Sequence, residues 1–181
     1  MSSNGLAAGS IQPPSVNRYA PEKEMNAMIV VLSMGMVALA QTASPVPPPD
    51  EKPIQQLVFV FVGAWNKHDV HAFAETFAED ADFTNVRGIR AHGRGAIERF
   101  HAPVFETIFK QSHQTTTDVR IRFLTSNVAS VDVRWEMTGS TAPDGTPVQL
   151  RKGLLNWLVT NHDGKWLITV MHNQDLTPPK E

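Results

Sequence analysis

The chain has 181 residues, a formal net charge of -2 and 41 % hydrophobic residues, which suits one domain with one core. It carries no basic excess, so no nucleic-acid partner is expected. The absence of cysteine excludes disulfides, thiol nucleophiles and thiolate metal sites.

Residues 1–24 are rich in Ser, Gly, Asn and Pro, lack periodicity and read as a disordered leader. Residues 25–40 read as a signal-peptide-like segment. Their apolar run, Met28 to Ala40, falls short of the about 20 residues a bilayer span needs. Ala38-Leu39-Ala40 has the small-x-small form of a cleavage site, which would leave Gln41 first. The expectation is a secreted or periplasmic protein with no membrane attachment after cleavage. Upstream, Arg18 and Lys23 are offset by Glu22 and Glu24, so a short buried or membrane-lying helix is the other reading of the run. Residues 41–53 form a proline-rich linker, 54–176 the folded domain and 177–181 a tail.

Pro53 suits a first helical turn, and Ile54, Leu57, Val58, Phe61, Val62 and Trp65 recur at helical spacing. A second helix is expected over Val70 to Phe77, with Asp69 as its N-cap. Period-2 alternation then starts a strand near Ala81, and Gly88 marks a turn. A third helix is expected over Ala96 to Phe109, kinked at Pro103. The last third is all strand: 114–124, 128–139, 148–161 and 165–174, an antiparallel meander.

Register follows from turns and burial. Asp163-Gly164 is a two-residue hairpin turn, which opposes Val159 to Ile168, Trp157 to Val170 and Leu155 to His172. A loop at Thr125-Ser126-Asn127 opposes Phe123 to Ala129, Ile121 to Val131 and Val119 to Val133. Agreement of apolar faces then sets Trp135 opposite Leu155. The expected concave face is dry at one end. At the other end stand Thr117, Trp135, Leu155 and His172, then Thr115, Met137, Gly153 and Gln174, with Gly153 leaving room beside Gln174. This is the wetter rim of a pocket around His172, or else a histidine that only satisfies the core. On the convex face Arg120, Arg122, Asp132, Arg134 and Glu136 adjoin an apolar patch of Leu154, Leu158, Leu167 and Met171. Such a patch predicts a homodimer through the convex sheet face, unless a terminal segment covers it.

The segments AWNKHDVHAFAETFAEDADFTNVRG (64–88), HGRGAIERFH (92–101), VRIRFLTSNVASVDVRW (119–135) and DGKWLITVMHNQD (163–175) resemble the nuclear transport factor 2-like superfamily. Within it the chain is similar to SnoaL-like proteins of SgcJ/EcaC type. The resemblance covers nearly all of 54–176. It implies an α+β fold, a cone-shaped curved antiparallel sheet wrapped around the N-terminal helices, with a pocket inside and frequent pairing through the sheet. Members include isomerases, dehydratases, cyclases, epoxide hydrolases and proteins without activity. The enzymes generally use acid–base chemistry on small, mostly apolar molecules, without a cofactor.

Such chemistry needs a titratable group in a desolvated cavity. The catalytic candidates are His172 and, in the same alternation as Thr115, His113. Asn85 shares a strand face with Phe83 and could orient a substrate carbonyl. Trp135 and Trp157 would be flat apolar walls, and Thr115, Thr117 and Gln174 would supply hydrogen bonds. The domain has no tyrosine, since Tyr19 lies in the leader, and no carboxylate falls on the expected concave face of the late strands. Asp82 alternates opposite to Phe83 and should point outward. His68 and His71 are expected at the surface, and His92 and His101 exposed at the ends of a helix. HGRG reads as a turn plus a helix start. No metal and no cofactor is expected. Two readings stay open: a protein that binds a small apolar or aromatic molecule and acts on it by acid–base catalysis, and a non-catalytic binding or dimerisation module.

Overall fold

The computed structural model describes residues 50–176. The leader, the signal-peptide-like segment with its cleavage motif, the linker up to residue 49 and the tail from 177 lie outside the described residues.

Helix α1 (Lys52–Asn66) carries Pro53 in its first turn and buries Ile54, Leu57, Val58, Phe61, Ala64 and Trp65. These recur at three- and four-residue spacing, one apolar stripe facing inward. The helix closes with Asp69 N bonded to Ala64 O and His68 N bonded to Trp65 O. His68 takes the left-handed position of this closure, at φ 54°. Asp69 then caps α2 (Val70–Ala74), accepting from Ala72 N at 2.9 Å. The second helix stops short of the expected Phe77. Thr76 Oγ1 bonds back to Phe73 O, and Thr76 O accepts from Ile168 N, so the sheet takes the backbone there.

Strand β1 (Phe77–Thr84) therefore starts four residues before the expected Ala81. A turn leads to β2 (Arg90–His92), then come α3 (Arg94–Glu106), β3 (His113–Thr125) and β4 (Val128–Thr138). A small hairpin, β5 (Ser140–Thr141) with β6 (Pro147–Val148), precedes β7 (Arg151–His162) and β8 (Lys165–Asp175). The main sheet has the order β2-β1-β8-β7-β4-β3. The four late strands form the expected antiparallel meander, and β1 adds to it parallel to β8. The architecture is α+β, a curved sheet around the helices. Phe61 of α1 packs at 4.8 Å from Phe73 and 4.9 Å from Trp157, ring centre to ring centre, so aromatic rings meet inside the cone.

The β7–β8 turn is formed as expected, with Asp163 at φ 52° and Gly164 at φ 90°. The β3–β4 pairing also holds, with Phe123 opposite Ala129, Ile121 opposite Val131 and Val119 opposite Val133, but the turn is tighter than the expected three-residue loop: Thr125 pairs with Val128 and Leu124 is left unpaired. Three registers differ. β4 and β7 slip by two residues, so that Val133 faces Leu155 and Trp135 faces Gly153. A two-residue slip keeps every side chain on its face but changes its neighbours. β8 carries a bulge: Val159 pairs with Ile168, but Leu158 pairs with Val170, leaving Thr169 unpaired. β3 carries one near its start as well, with Thr117 unpaired between Thr116 and Asp118.

Each bulge reverses the side chains beyond it. Past Thr169 the inward positions become Met171 and Asn173, and His172 turns out. Burying Met171 stabilises by about 1.5 to 3 kcal/mol, while an imidazole in its place would be desolvated. Before Thr117 the inward residues are Gln114 and Thr116 rather than Thr115 and Thr117.

Candidate functional site

The residues expected around one pocket do not converge. His172 is exposed on the convex face, opposite Asn156 rather than Leu155. Gln174 is also exposed there and donates from Nε2 to Asn156 Oδ1 at 3.2 Å. Thr115 and Thr117 are exposed, because the β3 bulge changes their phase. Asn85 is committed to the β1–β2 turn: its Oδ1 accepts from Arg87 N and Ile89 N, each at 2.9 Å. Trp135 and Trp157 do face inward, but as buried core rather than as walls of an open space. Trp135 Nε1 donates to Asn173 Oδ1 at 3.3 Å, so Asn173 stands where His172 was expected. Gly153 leaves no free room, since the Trp135 ring fills the place of its missing side chain.

Two of the seven histidines have surroundings that sequence reasoning missed. His101 is 4 % exposed, on the face of α3 that also carries Ile97 and Phe105. The spacing 97, 101, 105 was the available signal. Its Nδ1 donates to Ile97 O at 2.8 Å, and the rings of Phe73 and Phe83 lie 4.5 and 4.8 Å away. Burial among these rings lowers its pKa to about 4. His68, half-buried, bonds through Nε2 to Phe109 O at 2.7 Å and ties α1 to the segment after α3. His71 and His92 are exposed, and Asp82 points outward to His92 at 2.9 Å. The HGRG segment starts α3, with Arg94 bonded to Phe77 O and Glu75.

The site that does form lies between α1 and β3. It is an open groove of about 430 Å³. One wall is the flank of α1 that carries Gln55, Val58, Phe59, Val62 and Gly63, and Phe59 is 72 % exposed. The other wall is His113 to Thr116 of β3. His113 thus joins this groove and not the concave core. Here α1 buries only one stripe, so its next face stays uncovered. Gly63 adds to the opening, for a β-carbon built there would meet nothing within 4 Å.

Two buried polar atoms on the β3 wall, Gln114 Nε2 and Thr116 Oγ1, have no hydrogen-bond partner among the described residues. Leaving such an atom unsatisfied costs about 1 to 3 kcal/mol, and with almost no accessible surface both atoms lie behind the groove wall rather than open to it. Apart from His113 the lining has no ionisable side chain, so the groove suits an uncharged molecule.

A second hollow, about 490 Å³, lies by Ala78, Glu79, Asp80, Arg94, His162 and Leu167. Its one guanidinium, Arg94, is already paired with Glu75 at 3.0 Å. Among the described residues no three His, Asp or Glu side chains gather as a metal site would require.

Residues 59–167 match the SnoaL-like domain family. No curated protein matches the chain. Among solved structures the chain is similar to an uncharacterized protein with a cystatin-like fold from Caulobacter vibrioides. Identity is 28 % and the TM-score 0.66, over 70 % of this chain and 89 % of that one. A domain of unknown function with a cystatin-like fold from Nostoc punctiforme gives 27 % identity and a TM-score of 0.63, over 72 % and 79 %. An NTF-2 like protein of unknown function from Shewanella oneidensis gives 21 % and 0.57, over 68 % and 98 %.

Proposed function

The chain belongs to the SnoaL-like domain family, and from that premise we propose that it binds a small, uncharged, largely apolar molecule in the groove between α1 and β3. The observation that carries this reading is the open, mostly apolar groove itself, with Phe59 of α1 72 % exposed on one wall and His113 the one ionisable side chain of its lining. Apolar contact with Phe59 and Val62 supplies the affinity.

The reading favours binding over turnover. Acid–base catalysis wants a titratable group shielded from water. The one such side chain in the groove, His113, is exposed. His172 lies on the opposite face of the sheet, and His101 is enclosed by its aromatic neighbours.

Pairing of two copies through the convex sheet face belongs to the same proposal. Leu158 and Val170 form an apolar pair there, directly opposite each other, while Leu154 stands apart beyond the Asn156–His172 pair. The apolar patch is smaller than expected, because Met171 turns inward and Leu167 is buried beside Ala78 and Asp80. Charges of both signs flank it, Arg120 and Arg134 with Asp132 and Glu136, which a two-fold axis can set against each other.

Prodan, an uncharged naphthalene ketone whose emission shifts in apolar surroundings, tests the groove. Saturable binding is expected. Replacing Phe59 with Ser should weaken it by about tenfold, the loss of one large apolar contact, and Gly63→Leu should abolish it. Binding that ignores both substitutions would place the ligand elsewhere.

A further inference from the structure

Strand β3 is an edge of the main sheet, paired on one side with β4. Its other side faces the groove. There the last residue of α1 does something a neighbouring strand would do. Asn66 Nδ2 donates to Gln114 O at 2.9 Å, and Asn66 Oδ1 accepts from Gln114 N at 2.7 Å. One side-chain amide thus satisfies both backbone groups of Gln114, as a paired residue of an antiparallel strand would.

The direction of those two bonds has a consequence for Thr116. Backbone groups two residues apart in a strand point to the same side. The ladder is regular between the pairs Gln114–Met137 and Thr116–Trp135, and the bulge comes only after Thr116. The N–H and C=O of Thr116 therefore also point away from β4, toward α1. Among the described residues no turn or loop backbone group and no side chain bonds to them, and the alternation of the ladder leaves them off β4. The free edge is short, closed on one side by Asn66 and on the other by the bulge at Thr117.

We infer that the groove takes an extended, uncharged peptide segment, one residue of which pairs through its main-chain N–H and C=O with Thr116. Its flanking side chains alternate, so one of them faces α1. It meets the exposed ring of Phe59 and the gap at Gly63, a slot for an apolar side chain. The pairing continues the pattern Asn66 begins, the strand-addition mode of peptide recognition. This inference rests on the groove being the ligand site, and it names the ligand's chemistry.

The test uses the full ¹⁵N-labelled chain and the capped peptide acetyl-Val-Phe-Val-amide. Saturable shifts are expected at the Thr116 amide, whose N–H gains an acceptor, with little change at Thr115, whose N–H faces β4. The same peptide N-methylated at Phe loses its donor and should bind about tenfold more weakly. Gly63→Leu should remove binding. Equal affinity for the two peptides would overturn main-chain pairing, and so would shifts elsewhere that leave Thr116 unmoved. If Prodan binds in the groove and the peptide does not, the peptide inference falls and the small-molecule reading stands. If neither binds, both fall.

Discussion

The indole of Trp135 lies over Gly153 on the neighbouring strand, in the space a side chain there would need. A β-carbon at Gly153 would collide with ring atoms Cζ2 and Cε2 of Trp135 and come within 2.7 Å of Gln174 O. Backbone cannot yield as a side chain can, so Gly153→Ala should destabilise the domain by about 3 kcal/mol, the upper part of the overpacking range. Urea unfolding measures it. Trp135→Leu should cost stability alone but recover part of the loss in the double variant, a non-additive coupling. Simple additivity would mean that the two residues do not share this space.

His101 makes stability depend on pH. Its pKa in the fold is about 4, against an ordinary value of 6.5, because burial penalises the imidazolium. Above pH 6.5 both folded and unfolded states hold it neutral, and it contributes no pH dependence. As pH falls from 6.5 toward 4, the unfolded chain binds a proton that the folded chain refuses, so stability drops. The loss approaches about 3 kcal/mol at the lower end. Denaturant titrations at intervals across this window should show the fall in the parent chain. It should be smaller by that amount in His101→Phe. Parallel curves for the two proteins would refute it.

These two residues also mark what the sequence made legible. Helix starts, the Asp69 cap, the Asp163-Gly164 turn and the β3–β4 register depend on neighbours close along the chain, and they were readable. The bulges at Thr117 and Thr169 were not. Each depends on pairing with residues far along the chain, and one inserted residue reverses all side chains beyond it. That reversal carried His172, Thr115, Thr117 and Gln174 off the concave face together. The groove was invisible for a related reason. It lies where a helix flank fails to cover a strand edge, and apolar periodicity reports only the covered stripe. His101 is the opposite case. Its spacing with Ile97 and Phe105 puts it on the buried face of α3, although the polarity of an imidazole points to the surface.

Gly63 sits inside α1, where a helix gains nothing from glycine. Alanine there is favoured by about 0.8 to 1 kcal/mol, since glycine loses more backbone entropy on folding. Nothing stands within 4 Å of the β-carbon it would add. Gly63→Ala should therefore raise stability by close to this amount, with a higher midpoint in thermal unfolding. The methyl group projects into the groove, so Prodan affinity should fall while stability rises. Opposite signs for the two effects are the signature of a helix position kept open for a ligand. A variant that gains stability and binds Prodan as before would remove Gly63 from the site.

The convex face offers the last test, and it concerns assembly alone. Leu158 is flanked by Ser130 and faces Val170 across the β7–β8 ladder, and the two make the apolar pair of the convex face. In a symmetric pair each copy would bury this residue against its partner. Leu158→Glu would place a carboxylate in that contact without a matching cation. Desolvating it costs several kcal/mol, enough to weaken association by about a hundredfold or more. Light scattering at micromolar concentration should give a dimer mass for the parent chain and a monomer mass for the variant. Prodan binding should persist in the monomer, because the α1–β3 groove lies on other elements. A parent chain that is already monomeric would reject the pairing, as would a variant that stays dimeric. If Prodan binding disappears on dissociation while the fold is intact, the groove needs the second copy and cannot be the self-contained site described by α1 and β3.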